Sequence, residues 1–297
     1  MDDRCRAAAY ASIDGLAYGD AFGERFFSLF RSEAGARRLI AERTAPPDPH
    51  WNWTDDTAMA LDVLAVLEEH GEALSRPLAE RFAATYKADP GRGYGSGMHS
   101  LLPRVAAAPD QWESLAALLF GGEGSLGNGA AMRVAPLGAW FHDDLDRAAD
   151  QAARSAVVTH AHPQGIAGAV AVAVAAALSA RGEVPDPAEV AARTPDGAVR
   201  EGLLRAAELP LGTAPVAAAE TLGSGRRIRA DDTVPYALWC AARHPDDLES
   251  ALWATAVGFG DVDTTCAIVG GVVAARTGVA ALPREWRERR EPLPDIP

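Results

Sequence analysis

Cysteine is scarce in this chain of 297 residues, which has only three, Cys5, Cys240 and Cys266. Because they are odd in number and far apart, the sequence predicts neither a disulfide framework nor a CxxC zinc site. A reducing, cytoplasmic compartment fits this composition. The opening residues, Met-Asp-Asp-Arg, also lack the apolar stretch of a secretory signal peptide, which supports the same expectation of a cytoplasmic protein.

Long apolar runs and excess positive charge are missing as well. The longest apolar run, residues 166–180, is shorter than the roughly 20 residues that a membrane span needs, so we expect a buried helix and no membrane. Asp and Glu outnumber Lys and Arg by 41 to 28, which gives a formal net charge of -13. Such a chain repels phosphate backbones, so non-specific nucleic-acid binding is not expected. The arginines at 226–229 and 284–290 are interpreted as solvated surface.

Strand patterns with period-2 alternation are also lacking, whereas helical periodicity is frequent. Clusters of proline and glycine separate the helical segments, and none of them resembles a long flexible linker. The sequence therefore predicts one all-α domain over residues 1–297, with the chemistry carried by loops. The predicted helices span residues 7–18, 57–69, 78–86, 145–158, 166–180, 234–242, 248–257 and 264–275.

Two acidic segments precede predicted helices, Thr54-Asp55-Asp56-Thr57 and residues 258–265, which contain Asp261, Asp263 and Thr264. Asp and Thr are preferred helix N-caps, so capping alone could explain each segment. Adjacent carboxylates repel each other unless a cation lies between them. Together the segments offer only oxygen ligands, which suit hard cations such as Mg²⁺ or Mn²⁺, and two such segments could hold a pair of ions.

A third segment, Asp231-Asp232-Thr233, repeats the pattern of acidic residues and threonine at a predicted helix start. The echo is too short to indicate a sequence repeat, and helix capping explains it.

Three further segments could contact a ligand. The glycine-rich loop at 121–133 lacks the strand that a dinucleotide-binding motif requires, but its backbone N–H groups could hold a diphosphate. An ordinary flexible connection is the equal alternative. The loop at 92–98, which contains Tyr94, could offer an aromatic stacking surface beside a backbone cradle, but a plain surface loop is the preferred interpretation. His160 and His162 lack a third zinc ligand at a motif spacing, which leaves packing or a substrate hydrogen bond as their roles.

Taken in order, these segments resemble the ADP-ribosylglycohydrolase family, which includes the dinitrogenase-reductase-activating glycohydrolases and the ADP-ribosyl-acceptor hydrolases of animals. Any one of the motifs is common, but the whole series in this order is specific, and it covers almost the whole chain. The matching stretches are residues 15–23, 53–57, 93–95, 127–133, 159–160 and 260–264.

The resemblance implies an all-α fold with two Mg²⁺ or Mn²⁺ ions, and hydrolysis of the glycosidic bond between ADP-ribose and an acceptor. Asp56 is the residue we expect to steer or deprotonate the attacking water. The metal ligands implied are Thr54, Asp55, Asp56, Asp261, Asp263 and Thr264. The substrate-binding residues implied are Tyr94, Gly95, Ser96, Gly97, Gly127, Asn128, Gly129, Met132 and His160.

One departure from the family pattern concerns a glutamate that many members have four residues after the glycine equivalent to Gly23. Phe27 occupies that position here, and we expect it to pack with Phe22, Phe26 or Phe30. Glu24 is then the substitute candidate for proton transfer, if Gly19 and Gly23 bracket the end of the first helix and let the chain turn there.

Two other functions remain open at the level of sequence. One is a module that binds ADP-ribose without cleaving it. The other is a dinuclear-metal phosphohydrolase that attacks the diphosphate of a nucleotide.

Overall fold

The structure is a computed structural model that describes residues 3–29 and 33–295. Over these residues it consists of 17 α-helices joined by loops, without a β-strand. Two isolated β-bridges join Trp51 to Arg290 and Gly127 to Arg229. The helices are α1 (Asp3–Leu29), α2 (Glu33–Glu42), α3 (Asp55–His70), α4 (Ser75–Ala88), α5 (Ser96–Ala107), α6 (Trp112–Ala117), α7 (Leu119–Gly122), α8 (Ala135–Trp140), α9 (Leu145–Val157), α10 (Pro163–Ala180), α11 (Pro187–Arg193), α12 (Ala198–Glu208), α13 (Pro215–Leu222), α14 (Ala230–Arg243), α15 (Leu248–Ala256), α16 (Val262–Thr277) and α17 (Arg284–Arg289).

The all-α prediction is confirmed, and each of the eight predicted helices is present, although most begin earlier than predicted. The helices that the sequence did not indicate are mostly short and lie in segments rich in proline or glycine. Two of them, α11 and α13, begin at Pro187 and Pro215. Proline is favoured in the first turn of a helix, so these residues start helices rather than interrupt them.

The first helix corrects one expectation. It does not end near Gly19 and Gly23 but continues to Leu29. The two glycines instead permit close packing of α1 on α16: a Cβ at Gly19 would lie 1.9 Å from the carbonyl oxygen of Cys266, and one at Gly23 would lie 2.4 Å from that of Val262. Glycine therefore serves here for close backbone approach rather than for a turn.

The apolar segment 166–180 forms most of α10. Among the described residues α10 is the one helix long and apolar enough to cross a membrane by length and composition, but 78% of it is buried inside the molecule. It packs against α8, α9, α14 and α16. The prediction of a buried core helix is confirmed.

A cluster of aromatic side chains closes the core beside α1. The ring of Phe22 stacks on Trp286 with centroids 4.5 Å apart and meets Trp253 edge-on at 4.9 Å. Phe26 packs against Phe22. Phe27, by contrast, is 38% exposed, and its other expected neighbour, Phe30, lies outside the described residues.

Candidate active site

The N-termini of α3 and α16 face a common cavity of about 510 Å³. That volume lies within the usual range for small-molecule sites, about 300–1,000 Å³. The fold thus brings together residues that are more than 200 positions apart in sequence. Of the residues predicted from the sequence, this cavity is lined by Asp55, Asp56, Gly95, Ser96, Gly97, Gly127, Asn128, Gly129, Met132, His160, Asp261, Asp263 and Thr264.

The start of α3 is held by a carboxylate from another helix. Asp20, in the middle of α1, accepts hydrogen bonds from the backbone N–H groups of Thr54 and Thr57, at 2.9 and 3.1 Å, and from both of their hydroxyl groups. An anion at this position accepts hydrogen bonds from the first N–H groups of the helix, which have no partner within the helix. It also interacts favourably with the positive end of the helix dipole. Thr54 itself caps the helix, since its hydroxyl oxygen accepts from the backbone N–H of Asp56.

Asp20 lies in the stretch 15–23 that resembles the family, but no role in the site was predicted for it from the sequence. Its side chain is fully buried, and it fixes the orientation of the Thr54–Asp56 turn from behind. One signal was available: Asp20 is the one charged residue in the stretch 15–23, which otherwise consists of glycine, alanine, leucine and aromatic residues. A buried acid in such a place requires partners, because burial of an unpaired charge is costly.

The start of α16 is held differently. The side-chain amide of Asn128 donates to Asp261 Oδ2 at 2.7 Å and to the hydroxyl of Thr233 at 3.0 Å. The backbone N–H of Thr264 donates to Asp263 Oδ1 at 2.7 Å. Asn128 therefore links the glycine-rich loop to the second acidic segment, and Thr233 joins the third acidic segment to both.

These carboxylates are crowded and poorly neutralised. Burial, together with the charges of Asp20 and Asp261, raises the pKa of Asp55 to about 8. Burial and then the charges of Asp20 and Asp263 raise the pKa of Asp56 well above its ordinary range. Burial and the charge of Asp261 do the same to the pKa of Asp263. Without a cation, the ionised cluster is destabilised by desolvation and by like-charge repulsion.

The donor set suits a hard divalent cation. One oxygen of Asp56, Oδ1, is buried and has no hydrogen-bond partner among the described residues, as expected of an atom that could bind an ion. Within residues 3–29 and 33–295, no three acidic, histidine or cysteine side chains already converge as they would around a bound ion. Mg²⁺ commonly takes only one or two carboxylates and keeps several waters, so the residues fit such a cation without a complete carboxylate cage.

The glycine-rich loop also lines the cavity and lies against His160. A Cβ at Gly129 would lie 3.0 Å from His160 Nε2, and one at Gly127 would lie 3.3 Å from it, so the two glycines make room for the imidazole. Nδ1 of His160 forms a 2.8 Å hydrogen bond with the hydroxyl of Thr159. Burial and the charge of Arg133 lower the pKa of His160 to about 3, so the ring is neutral.

Two predicted site residues line a smaller, adjacent cavity of about 400 Å³ instead. Glu24 and Thr54 lie there, together with Trp53 and Arg92. Gly93 lines both cavities, so the two meet beside Asp55. Burial raises the pKa of Glu24, and the charges of Asp20 and Asp261 contribute in the same direction.

Tyr94 is placed differently from the prediction. Its ring packs against Tyr86, with centroids 5.0 Å apart, and the residue is only 4% exposed. It therefore belongs to the wall behind the cavity and does not provide the stacking surface that its position in a glycine loop suggested. Its backbone neighbours Gly95 and Ser96 do line the cavity.

The rim of the larger cavity carries two exposed apolar residues and two arginines, and the arginines were expected to be ordinary surface. Phe120 and Ile228 are 60% and 61% exposed, and both have left-handed backbone, with φ of 52° and 54°. Such strained residues cluster at ligand-binding sites. Arg227 and Arg229 flank Ile228 at the same rim, so their interpretation as plain solvated surface is incomplete.

The cavity's acidic segments, glycine loop and histidine can now be compared with known proteins. The sequence profile of the ADP-ribosylglycohydrolase family matches residues 1–296. The chain belongs to this family. Among its relatives is the ADP-ribosylhydrolase ARH3 of Homo sapiens, 31% identical over 277 residues, which cover 80% of this chain and 74% of that protein.

Other comparisons agree. The ADP-ribosylhydrolase ARH3 of Danio rerio is 30% identical over 270 residues, 79% of this chain and 72% of that protein. A protein of Archaeoglobus fulgidus is 32% identical over 290 residues, 93% of this chain and 89% of that protein. A solved structure described as an ADP-ribosylglycohydrolase-related protein complex superposes with a TM-score of 0.67 at 23% identity, covering 98% of this chain and 94% of that one. That likeness shows that the ADP-ribosylglycohydrolase fold is present.

Proposed function

We propose that this ADP-ribosylglycohydrolase hydrolyses the glycosidic bond between ADP-ribose and an acceptor, and that it does so with two bound Mg²⁺ or Mn²⁺ ions. One observation carries the proposal: two acidic helix N-termini and a glycine-rich loop line one cavity of suitable volume. The family membership and the ARH3 relatives support the reaction type.

The metal ions would be held by oxygen atoms from the two acidic helix starts. When bound, such ions orient ribose hydroxyls and lower the pKa of a coordinated water. The residues that would hold them are Thr54, Asp55, Asp56, Asp261, Asp263 and Thr264. Asp20 is too occupied by its hydrogen bonds to the α3 turn to be a free ligand, and its role is to position Thr54.

The two adjoining cavities suggest how a substrate would be divided. ADP-ribose would occupy the larger cavity, with its diphosphate near the N–H groups of the glycine loop and its adenine near Phe120 and Ile228 at the apolar rim. The acceptor would extend past Gly93 into the smaller cavity. The bond to be cleaved would then lie beside Asp55 and Asp56, where the cavities meet.

Proton transfer falls to carboxylates in this arrangement. Cleavage at the anomeric carbon develops oxocarbenium character, and an attacking water must lose a proton. Asp56, one oxygen of which has no hydrogen-bond partner among the described residues, would accept that proton. Glu24 lies in the smaller cavity, on the side of the leaving acceptor, and is the candidate to protonate it.

The test is a panel of defined substrates incubated with the purified protein and Mg²⁺ or Mn²⁺, with ADP-ribose joined to arginine, serine, a nucleic-acid end or a small molecule. Mass spectrometry should detect intact ADP-ribose released from at least one of them, and EDTA should stop the release. Release of AMP would show a phosphohydrolase instead, and binding without turnover of any substrate would show a binding module.

Metal binding is measured separately from activity. Isothermal calorimetry and thermal unfolding should show saturable binding and stabilisation by Mg²⁺ or Mn²⁺, because a ligand that binds only the folded state stabilises it by mass action. Full turnover in metal-free buffer, or no heat of binding with either ion, would contradict the metal part of the proposal.

A further inference from the structure

A chain of buried hydrogen bonds leads from Arg133 to His160. Arg133 is fully buried, and its Nη2 donates to the carbonyl oxygen of Ser155 at 3.0 Å and to the hydroxyl oxygen of Thr159 at 2.9 Å. That hydroxyl in turn lies 2.8 Å from His160 Nδ1. Arg133 ends the stretch 127–133 that resembles the family, but no function was predicted for it from the sequence.

The direction of these hydrogen bonds follows from what each group can donate. A guanidinium has donors only, so Thr159 Oγ1 must accept from Arg133. Thr159 is completely buried, and its hydroxyl hydrogen has one acceptor within the described residues, His160 Nδ1. If Nδ1 carried the proton instead, that hydroxyl hydrogen would be left buried without a partner, which costs free energy.

We propose that Arg133 and Thr159 are positioning residues that hold neutral His160 in the Nε2–H tautomer, so that it presents a hydrogen-bond donor, and not a base, to a ligand oxygen in the cavity. Nε2 has no partner among the described residues, and His160 lines the cavity beneath the glycine loop. The low pKa of His160 also disfavours the doubly protonated ring.

The identity of the ligand, ADP-ribose, rests on the proposed function. The assignment of the His160 tautomer does not depend on it. A donor at Nε2 suits a ribose hydroxyl or a phosphate oxygen of ADP-ribose. Since Nε2 already carries a proton, it cannot accept one from the attacking water. Proton transfer is thereby left to the carboxylates of the site.

The tautomer can be read directly by nitrogen NMR on protein labelled with ¹⁵N-histidine at pH about 8, where an ordinary histidine is neutral. The chain contains an internal reference for each tautomer. His162 Nδ1 accepts from the backbone N–H of Gln164 at 3.0 Å, which fixes Nε2–H. His142 Nδ1 lies 2.8 Å from the carbonyl oxygen of Ala139, which can only accept, so this ring carries its proton on Nδ1.

We expect the signals of His160, assigned by their loss in His160→Asn, to match those of His162. Signals that match His142, or that are averaged between the two references, would overturn the inference. In Thr159→Val the hydrogen-bonded Nδ1 signal should shift and the ring should exchange between tautomers, while Thr159→Ser should keep the wild-type pattern. His162 should not change in either variant.

Calorimetry with ADP-ribose tests the use of the donor. ADP-ribose should shift the His160 Nε2 signal of the wild type, and its affinity should fall about tenfold in Thr159→Val but not in Thr159→Ser. Wild-type affinity and an unchanged spectrum in Thr159→Val would show that Thr159 does not position the ring. No binding of ADP-ribose to the wild type would overturn the proposed function and the donor's part in it, whereas a wrong tautomer in the free protein would overturn this inference alone.

Discussion

The starts of α3 and α14 carry the same kind of sequence, two aspartates with a threonine. They differ in whether arginine side chains neutralise the carboxylates. At α14, Asp231 accepts from two nitrogens of Arg229, at 2.8 and 3.1 Å, and Asp232 pairs with Arg227 at 3.0 Å. At α3, Asp55 and Asp56 form no ion pair with any residue that the structure describes. Burial and neighbouring carboxylates instead raise the pKa values of both residues.

Under the proposed function, this difference separates a structural acidic helix start from a metal-binding one. A protein that requires only a capped helix can supply an arginine, as α14 does. The acidic helix starts at the cavity, α3 and α16, keep their charges unpaired, which destabilises the empty site and favours a cation. Substitutions at the two kinds of helix start test whether neutralisation is the feature that matters.

The largest effect is expected from Asp55→Asn. Loss of one anionic ligand should reduce turnover by about 10⁴-fold, several kcal/mol of transition-state stabilisation, and should abolish the heat of Mg²⁺ or Mn²⁺ binding. The metal-free variant should keep its helical fold and be as stable as the wild type or slightly more so, because like-charge repulsion is relieved.

The matched control for Asp55→Asn is Asp231→Asn at α14, which should change turnover by less than about threefold. Equal losses in both variants would remove the distinction between the two helix starts. Unfolding of Asp55→Asn would show that Asp55 is a structural cap.

Glu24→Gln examines a carboxylate between these extremes, since Glu24 has one weak partner, Arg25, at 4.0 Å. If Glu24 protonates the leaving acceptor, turnover should slow by about 10²-fold, at the low end of what positioned proton transfer contributes. The affinity for ADP-ribose, measured by calorimetry, should stay the same. Turnover close to that of the wild type would leave Asp56 as the remaining candidate for proton transfer.

Asn128→Leu tests the link between the glycine loop and the second acidic helix start. ADP-ribose at 100 times its Kd should stabilise the wild type by about 2.7 kcal/mol. The variant should lose this stabilisation in a thermal unfolding assay, because leucine cannot donate the hydrogen bond to Asp261 and its larger apolar side chain intrudes on the cavity beside the glycine loop. The same substitution at exposed Asn52, outside the larger cavity, should leave it intact. A full thermal shift in Asn128→Leu would place the ADP-ribose site elsewhere.

The smallest effect concerns Asp62, a buried carboxylate of α3 that lies outside the cavity and accepts from Thr85 at 2.9 Å. Burial raises the pKa of Asp62 to about 6, so the folded state favours its protonated form. Relative to high pH, protonation of Asp62 stabilises the folded state. This stabilisation is fully present below pH about 4 and is lost as the pH rises through about 6.

Asp62→Asn should therefore be more stable than the wild type by about 1–3 kcal/mol at pH 8, in urea denaturation, and nearly equal to it at pH 4. Its turnover should be normal. A loss of turnover would mean that any buried, unneutralised carboxylate near the site affects function, and would weaken the comparison.

Much of the architecture could be predicted because it depends on local pattern. Apolar periodicity identified the long helices, and proline and glycine clusters marked their ends. The role of Gly19 was mistaken for the same reason: a local reading sees a helix terminator, whereas the contact that requires glycine is with Cys266, 247 positions away. The short helices were missed because each has too few residues for a periodic signal.

The site divides along the same line. Residue types and order identified the acidic helix starts, the glycine loop and His160, since hard-metal and phosphate chemistry restrict which side chains can serve. The roles of Asp20 and Arg133 were not predicted, because each acts on the site through residues distant in sequence. Tyr94 and Glu24 were identified by type, but the side of the wall on which each lies depends on packing.

The sequence by itself determined the fold class, the family and the oxygen-rich chemistry of the two acidic segments, because these depend on composition, periodicity and motif order. Only the tertiary structure decided which aspartates are paired with arginine and which face the cavity unpaired. It also decided the hydrogen-bond chain from Arg133 through Thr159 to His160. The physical reason is that charge neutralisation and donor direction are set by contacts within a few ångströms, and the fold makes those contacts between segments that the sequence keeps far apart.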